Sequence, residues 1–408
     1  MLFFKIAIRN IFRQKRRSFL TGLSMTLGFV MAAFTFGMVE GSYGNIINIF
    51  TSDKTGHVQI HAEDYLERPS IYKQIRNVDE VLTNVRAVDG VIAAAPRIFA
   101  PSLAYKDNKN TIANVVGIDP EAEQETTTID EKAIQGTFLT GAMNEDGYDV
   151  IMVGYSVAQS LKLEVGDELI LIGQGVDGSI ANDIYIVGSI IGSKTTSEAQ
   201  MIFMSLDAAR RYLSMGPSAH EIAVITDSPK SAEALALRIQ TALTDERLHA
   251  NPWQVVEETF YNTMKADKEG NQVTTIIIMS MIAIGVLNAV LMSVLERTRE
   301  FGLLRAVGTR PRNVFWLIII ETLVLGFLSS LVGLAVSWPL LAQLSETGIP
   351  MPNPVDVGGM SFDTIMTEVS AFTLLAPGAL VLGTCLIVSL WPAVRSARVT
   401  PIQALQAV

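Results

Sequence analysis

The chain has 408 residues, 49% hydrophobic and 18% charged, with a formal net charge of −10 and a mean hydropathy of +0.34. That balance excludes an ordinary soluble domain and points to membrane segments plus one water-facing part. Residues 45–270 carry 18 Lys and Arg against 33 Asp and Glu, and the rest of the chain carries 13 against 8; so acidic a middle excludes nucleic-acid binding there.

Residues 1–17 have helical periodicity. Lys5, Arg9, Arg13 and Arg16 share one face, and Leu2, Phe4, Ile8, Ile11 and Phe12 cover much of the rest. The pattern predicts a cationic amphipathic elbow helix in the interface of the cytoplasmic leaflet. Residues 18–44 are apolar for about the length of a bilayer span. The run is longer than a signal-peptide core and no small-residue cleavage site follows it, so it reads as an uncleaved first transmembrane helix.

Residues 45–270 form the acidic domain. Strands are expected at 56–61, 91–98, 221–226 and 253–256, and helices at 78–88 and 231–243. Two strand–helix–strand units, one at each end, imply an α+β subdomain built from 45–116 and 217–258. Between them, 117–216 reads as a β-rich insert, with strands at 148–153, 168–172, 184–191 and 201–204 separated by turn residues. Residues 259–270 are polar and lack proline, which predicts a helical stalk leading into the second span. Residues 46–53 do the same after the first.

Residues 271–295 and 314–342 are the second and third spans. The loop between them, 296–313 (ERTREFGLLRAVGTRPRN), holds five arginines: Arg297, Arg299, Arg305, Arg310 and Arg312. A basic loop between two spans is cytoplasmic by the positive-inside rule. Residues 343–370 hold four acidic residues, no Lys or Arg, and Pro350, Pro352 and Pro354, so they read as an irregular external loop. Residues 371–392 are the fourth span, and 393–408, with Arg395 and Arg398, a cytoplasmic tail. The predicted fold is an α-helical membrane protein, with four transmembrane helices and a large extracytoplasmic α+β domain between the first and second.

Catalytic motifs are weak. The sequence contains no GxxxxGK[ST], CxxC, HExxH or EF-hand loop, so no nucleotide, metal or other cofactor site is expected in this chain. His57 and His61 are better read as a solvated strand end than as metal ligands. The segment around Ser156 (GYSVA) reads as a turn into a helix at 157–161 rather than a nucleophile elbow. Glu321 lies inside the third span, where an ionisable group is a functional candidate, is protonated, or pairs with a neighbouring helix. Met31, Phe34, Met38, Met281 and Leu287 mark a possible cargo or dimer surface on the first two spans, where ordinary lipid-facing packing is the simpler account. The one cysteine, Cys385, excludes an intramolecular disulfide.

Three stretches carry a resemblance. ERTREFGLLRAVGTRPRNVF, IIIETLVLGFLSSLVGLAVS and WPAVRSARVTPIQAL resemble, in this order, the permease family of MacB, FtsX and the lipoprotein-releasing LolC/LolE proteins, the type VII ABC transporter subunits. Phe301 and Val307 depart from the family's usual residues, Trp391 stands in place of a Tyr, and Gln406 sits where Arg is usual. The resemblance implies a porter-like subdomain (45–116 and 217–258), a sabre-like insert (117–216) and a coupling helix in 296–313. That helix would dock on a separate, dimeric ABC ATPase through Arg297, Arg299, Glu300, Phe301, Leu303, Leu304, Arg305, Ala306 and Gly308. ATP and Mg would be bound by that partner and none by this chain. Further partners implied are a second copy or a paralogous permease, membrane lipids, and a periplasmic chaperone or adaptor. The movement would be mechanotransmission in a bacterial inner membrane, with both termini cytoplasmic. The cargo would be an amphiphile, by likeness to LolC/LolE a lipoprotein; MacB itself carries a fused ATPase, which is not found in this sequence. The alternatives are tripartite efflux of drugs or peptides, and a non-transport signalling or scaffold protein.

Overall fold

The computed structural model describes residue 9 and residues 15–357 and 360–398. Most of the expected elbow helix and residues 399–408 of the tail lie outside the described residues. The first apolar run becomes α1 (Lys15–Phe50), which continues past the expected end at 44. One π-helical turn, Thr51–Thr55, follows it and closes with the Gly56 N–H donating to the Thr51 carbonyl at 2.8 Å. Gly56 has φ +69°, a left-handed conformation that glycine adopts without penalty, and the helix stops there.

The large unit then runs through β1 (Val58–Ala62), β2 (Ile75–Arg76), α2 (Val78–Arg86), β3 (Ala93–Lys106), β4 (Lys109–Ile118), α3 (Pro120–Thr126), β5 (Ala133–Gly136), β6 (Val150–Gly154) and α4 (Tyr155–Leu161). It continues through β7 (Glu168–Gln174), β8 (Ile180–Ile191), β9 (Met201–Ser205), α5 (Leu206–Tyr212), β10 (Ser218–Ala219), β11 (Glu221–Ile225), α6 (Ala232–Ala242), β12 (Leu248–Pro252) and α7 (Trp253–Val256). Ten of these strands form one sheet in the order β12–β1–β11–β3–β4–β9–β6–β8–β5, with β7 paired to both β3 and β8. The pairings β3–β4–β9–β6–β8–β7–β3 close a six-strand ring.

β3 serves both halves of this arrangement. Ala93 to Arg97 pair with β11, while Leu103, Ala104 and Tyr105 pair with β7. The sheet therefore crosses the expected boundary at 116/117 without a break, and the long β3–β4 hairpin belongs to the ring as well as to the α+β part. Strand alternation sorts the side chains. Val115, Ile151, Val153, Ile202 and Met204 enter the main core, and their neighbours Val116, Met152 and Phe203 enter a smaller one with Ile129, Leu139 and Ile191.

Two expectations for this unit fail. Residues 253–256 are helical, and the strand is the preceding Leu248–Pro252, paired with β1. A stretch of four residues does not separate strand from helix by periodicity; here Pro252 caps the start of the helix, and Trp253 is buried, its indole N–H donating to the Pro229 carbonyl at 3.1 Å. His57 and His61 are not a solvated strand end; both are buried. His57 Nδ1 accepts from the Thr226 N–H at 3.0 Å, and His61 Nε2 lies 3.2 Å from Glu221.

Glu221 belongs to a buried ionic cluster. Arg97 donates to both oxygens of Glu123 (3.1 and 2.7 Å), to Glu221 (3.0 Å) and to the Lys54 carbonyl (2.6 Å). It thereby joins β3, α3, β11 and the turn that ends α1. Burial raises the Glu221 carboxyl, but His61 and Arg97 outweigh it and hold its pKa below the ordinary value.

The remaining chain forms α8 (Glu258–Glu296), α9 (Thr298–Ala306), α10 (Pro311–Thr347), the two-stranded β13 (Ile349–Val357) and β14 (Met360–Ile365), and α11 (Ala371–Ala397). Residues 259–270 are helical within α8. The loop expected to be external and irregular holds the β13–β14 pair instead. Prolines at alternate positions put all their missing N–H groups on one edge of β13, which leaves the other edge able to pair. Among the described residues, four helices, those containing α1, α8, α10 and α11, are long and apolar enough to cross a membrane.

Small residues set the helix contacts in this unit. The ring of Phe29 packs on Gly333, where a Cβ would come within 2.6 Å of it. At Gly41 a Cβ would lie 2.4 Å from the Thr367 carbonyl carbon, a backbone atom that cannot rotate away. Gly41→Val should therefore lower the melting temperature of the purified protein by several degrees, whereas Gly270→Ala, with nothing within 4 Å, should not.

Burial also depresses the pKa of His57 and of His220 below the ordinary 6.5. His57 Nδ1 accepts from the Thr226 N–H, and His220 Nδ1 from the Phe99 N–H, bonds that only an unprotonated nitrogen can accept. Below pH 6.5 the unfolded chain thus binds more protons than the folded one. The resulting stability is present above pH 6.5 and is lost as the pH falls through the lower folded pKa values. Thermal melting in nanodiscs at pH 7.5 and 5.5 should show the loss, and a His57→Asn/His220→Asn variant, with a non-titrating acceptor at each site, should lose less.

Candidate docking helix and its buried anchor

The loop between the second and third long helices holds α9, and its local geometry follows from a few residues. α8 stops at Glu296 because Arg297 leaves helical geometry (φ −103°, ψ 11°). The proline-free route from 259 to 308 is therefore two helices and not one rod. α9 ends in a Schellman arrangement. The Thr309 N–H donates to the Leu304 carbonyl (2.9 Å), and the Gly308 N–H to the Arg305 carbonyl (3.1 Å). Gly308 sits at φ +98°, where any side chain would be strained. Pro311 then occupies the first turn of α10, where its missing N–H costs nothing.

One face of α9 is turned inward. Arg297 is 7% exposed, and its Nη1 donates to both carboxylate oxygens of Glu321 at 2.9 Å each. Its Nε donates to Glu300 at 3.0 Å, and its guanidinium lies over the Phe301 ring, 5.2 Å from the centroid. Phe301 is 2% exposed and joins the core of this unit with Val294, Val314 and Leu317. Arg305 Nη1 donates to the Ala397 carbonyl near the end of α11 at 2.6 Å. Arg297 and Phe301, expected among the docking residues, are therefore anchors and not surface. Burying the planar guanidinium is tolerable because two carboxylates and an aromatic face receive it.

The other face is open. Arg299, Leu303, Leu304, Ala306 and Gly308 are exposed, Leu303 and Leu304 by 53% and 41%. Glu300 and Arg305 are intermediate. Val307, missing from the expected set, is 88% exposed. Three apolar side chains at one helix end, left to solvent, form a surface suited to a partner. Glu321 is thus paired, and the sequence signal for its partner was the first arginine of the basic loop. On α1 and α8, Met31 and Met281 are exposed, whereas Phe34, Met38 and Leu287 are half-buried, Phe34 against the core. The two groups do not make one uniform exposed face.

Residues 18–242 match the family model of the MacB-like periplasmic core domain, and 273–401 that of the FtsX-like permease C-terminal region. The chain belongs to the MacB/FtsX family of ABC transporter permeases. Such a permease is not itself the catalytic component. Among MacB/FtsX-type relatives, the lipoprotein-releasing system transmembrane protein LolC of Neisseria meningitidis serogroup B is 18% identical over 98% of both chains. The macrolide export ATP-binding/permease protein MacB of Nitrobacter winogradskyi is 25% identical over 79% of this chain and 48% of its own. The pyoverdine export ATP-binding/permease protein PvdT of Pseudomonas syringae pv. tomato is 28% identical over 66% of this chain and 40% of its own. The chain thus spans half or less of those two exporters and nearly all of LolC. The periplasmic region of MacB from Actinobacillus actinomycetemcomitans aligns over 53% of this chain and 98% of its own, at 14% identity and a TM-score of 0.38.

The anchor generates a prediction. Arg297→Leu or Glu321→Leu alone breaks the two-oxygen pair at the end of α8 and should cost about 2 kcal/mol, the remaining Arg297–Glu300 contact moderating the loss in the second case. The Arg297→Leu/Glu321→Leu double variant should recover much of that loss in thermal melts of the purified protein. Arg299→Ala should leave melting unchanged.

Proposed function

We propose that this permease couples ATP hydrolysis by a separate ABC ATPase to extraction or release of an amphiphilic cargo on the outer side of a bacterial inner membrane. The observation that carries this reading is α9: a short helix pinned on one face by Arg297–Glu321 and Phe301, with Leu303, Leu304 and Val307 exposed on the other. An ATPase pair, which would bind the ATP and Mg, receives that exposed face. A second permease copy or a paralogue completes the dimer. The basic loop and the basic residues near both ends of the chain favour cytoplasmic termini and a periplasmic large domain. Closure of the ATPases then moves α9, and the long α8 carries the movement outward as mechanotransmission.

Lipoprotein release is the favoured cargo reading, because the likeness to LolC runs over 98% of both chains; a periplasmic chaperone or adaptor would then receive the product. Efflux is the second reading, favoured by the higher identity to the macrolide and pyoverdine exporters.

The test is affinity purification of the full-length protein from its native membrane. An ABC ATPase should co-purify with the wild type and be lost from Leu304→Asp and Val307→Asp, variants that keep the wild-type melting temperature. No ATPase with the wild type would overturn the reading in favour of a scaffold. Depletion of the protein should leave acylated proteins in the inner membrane; unchanged lipoprotein localisation with new drug or peptide sensitivity would favour efflux.

A further inference from the structure

Four arginines near α9 are left without a counter-charge by their own chain. Arg310 and Arg312 stand at the start of α10, Arg395 and Arg398 at the end of α11, and all four are exposed. The Arg305 bond to the Ala397 carbonyl brings the end of α11 beside α9, just ahead of Arg310. Counting along both helices from the contact of Gly326 with Cys385 places Arg312 and Arg395 within about 6 Å of one another in depth. Among the described residues, none of the four has an ion-pair partner. Glu300 on α9 and Glu321 on the first half of α10 both engage Arg297.

Two exposed indoles accompany these charges. Trp316 lies one helical turn after Arg312 and is 44% exposed; Trp391 lies one turn before Arg395 and is 55% exposed. α10 leads away from α9 and α11 returns toward it. In both pairs, therefore, the indole is the deeper member and the arginine the outer one, by about 6 Å. The Arg395 guanidinium lies over the Trp391 ring, 5.6 Å from its centroid. That stacking fixes the plane of the fork and leaves its N–H edge free to donate. The other two long helices differ at this end. α8 finishes on Glu296, and α1 begins with Lys15 and Arg16 but holds no tryptophan. Positive charge that only set topology would need neither an indole beneath it nor a fixed guanidinium plane.

We propose that the adjoining ends of α10 and α11 bind the headgroup of an anionic phospholipid. Arg312 and Arg395 donate to its phosphate with the bidentate geometry that a guanidinium offers. The indoles of Trp316 and Trp391 lie beside the glycerol and the first acyl carbons, the depth at which tryptophan is enriched in membrane proteins. A zwitterionic lipid brings its own ammonium against the arginines and is held less well. An acidic surface on a soluble partner would satisfy the charges but not reach the indoles, which sit a turn deeper on helices long and apolar enough to span a bilayer. The inference rests on the membrane part of the proposed function and is independent of the cargo and of the ATPase.

The test uses the full-length protein with Trp338→Phe, so that the remaining tryptophan away from the site is Trp253, buried in the large unit. It is reconstituted in nanodiscs of phosphatidylcholine with brominated acyl chains, which quench Trp316 and Trp391. Unbrominated phosphatidylglycerol, or unbrominated phosphatidylcholine as the control, then replaces part of that lipid. Relief of quenching should give phosphatidylglycerol an affinity at least about fivefold that of phosphatidylcholine. Arg312→Gln/Arg395→Gln should bring the ratio to about one without changing the melting temperature. Arg299→Gln, an exposed arginine on α9 with no indole a turn away, should leave the ratio as it is. In about 1 M salt, where the screening length is about 3 Å, the wild-type ratio should also fall toward one, a measurement that needs no arginine variant. A wild-type ratio of one, a ratio unaltered by salt or by the folded double variant, or an equal loss in Arg299→Gln would overturn the proposal. So would a double variant that keeps its lipid preference and loses a co-purifying ABC ATPase, since the arginines would then belong to that interface. Absence of any ATPase partner would leave these ratios untouched.

Discussion

The structure depends on where arginine is allowed to be buried. Arg297 lies at the end of a long apolar helix, where a guanidinium needs a carboxylate close by. Glu321, on the next apolar helix, supplies both oxygens. Neither charge is stable there alone, so the pair fixes the register between α8 and α10 and with it the angle at which α9 leaves. Phe301 completes the anchor by giving the same guanidinium an aromatic face. The exposed residues of α9 owe their orientation to this inward half.

The large unit solves the same problem independently. Arg97 is buried in the domain and is met by two carboxylates and a backbone carbonyl. Its position at the junction of β3, α3, β11 and the end of α1 makes it a joint, in that four elements must be in place together for its donors to be satisfied. Buried ionic clusters of this kind contribute little net stability but tolerate few alternative arrangements. In both places an arginine converts several separately folded segments into one constrained geometry.

Much of this was legible in the residues. Apolar length marked the long helices, and the charge pattern marked the loop between two of them. Alternation located most strands of the large unit. What periodicity could not reveal was closure. The ring through β7 needs Leu103–Ile172 pairing across distant sequence, and nothing local in either strand names its partner. The same applies to chemistry at a distance. His61 looks like an exposed strand residue until Glu221, far along the chain, is placed beside it. Spacing around Arg297 and Phe301 defines a face of a helix but not which face turns inward. Residues 253–256 failed for a different reason, since a run of that length satisfies both periods.

The β3 strand bears on how the large unit can be divided. Its 14 residues serve an open sheet at one end and a closed ring at the other, so the ring has no seam at which it could be lifted out. Removing residues 117–216 would uncover the backbone edges of Leu103, Ala104 and Tyr105, and of β4 beside β9, which are templates for aggregation. The ring is therefore not a cassette inserted into a finished domain, and an exchange of this region between relatives has to carry the hairpin with it. Sequence drift in β3 is likewise constrained twice, since each change must suit two different sets of neighbours along a single inextensible ribbon.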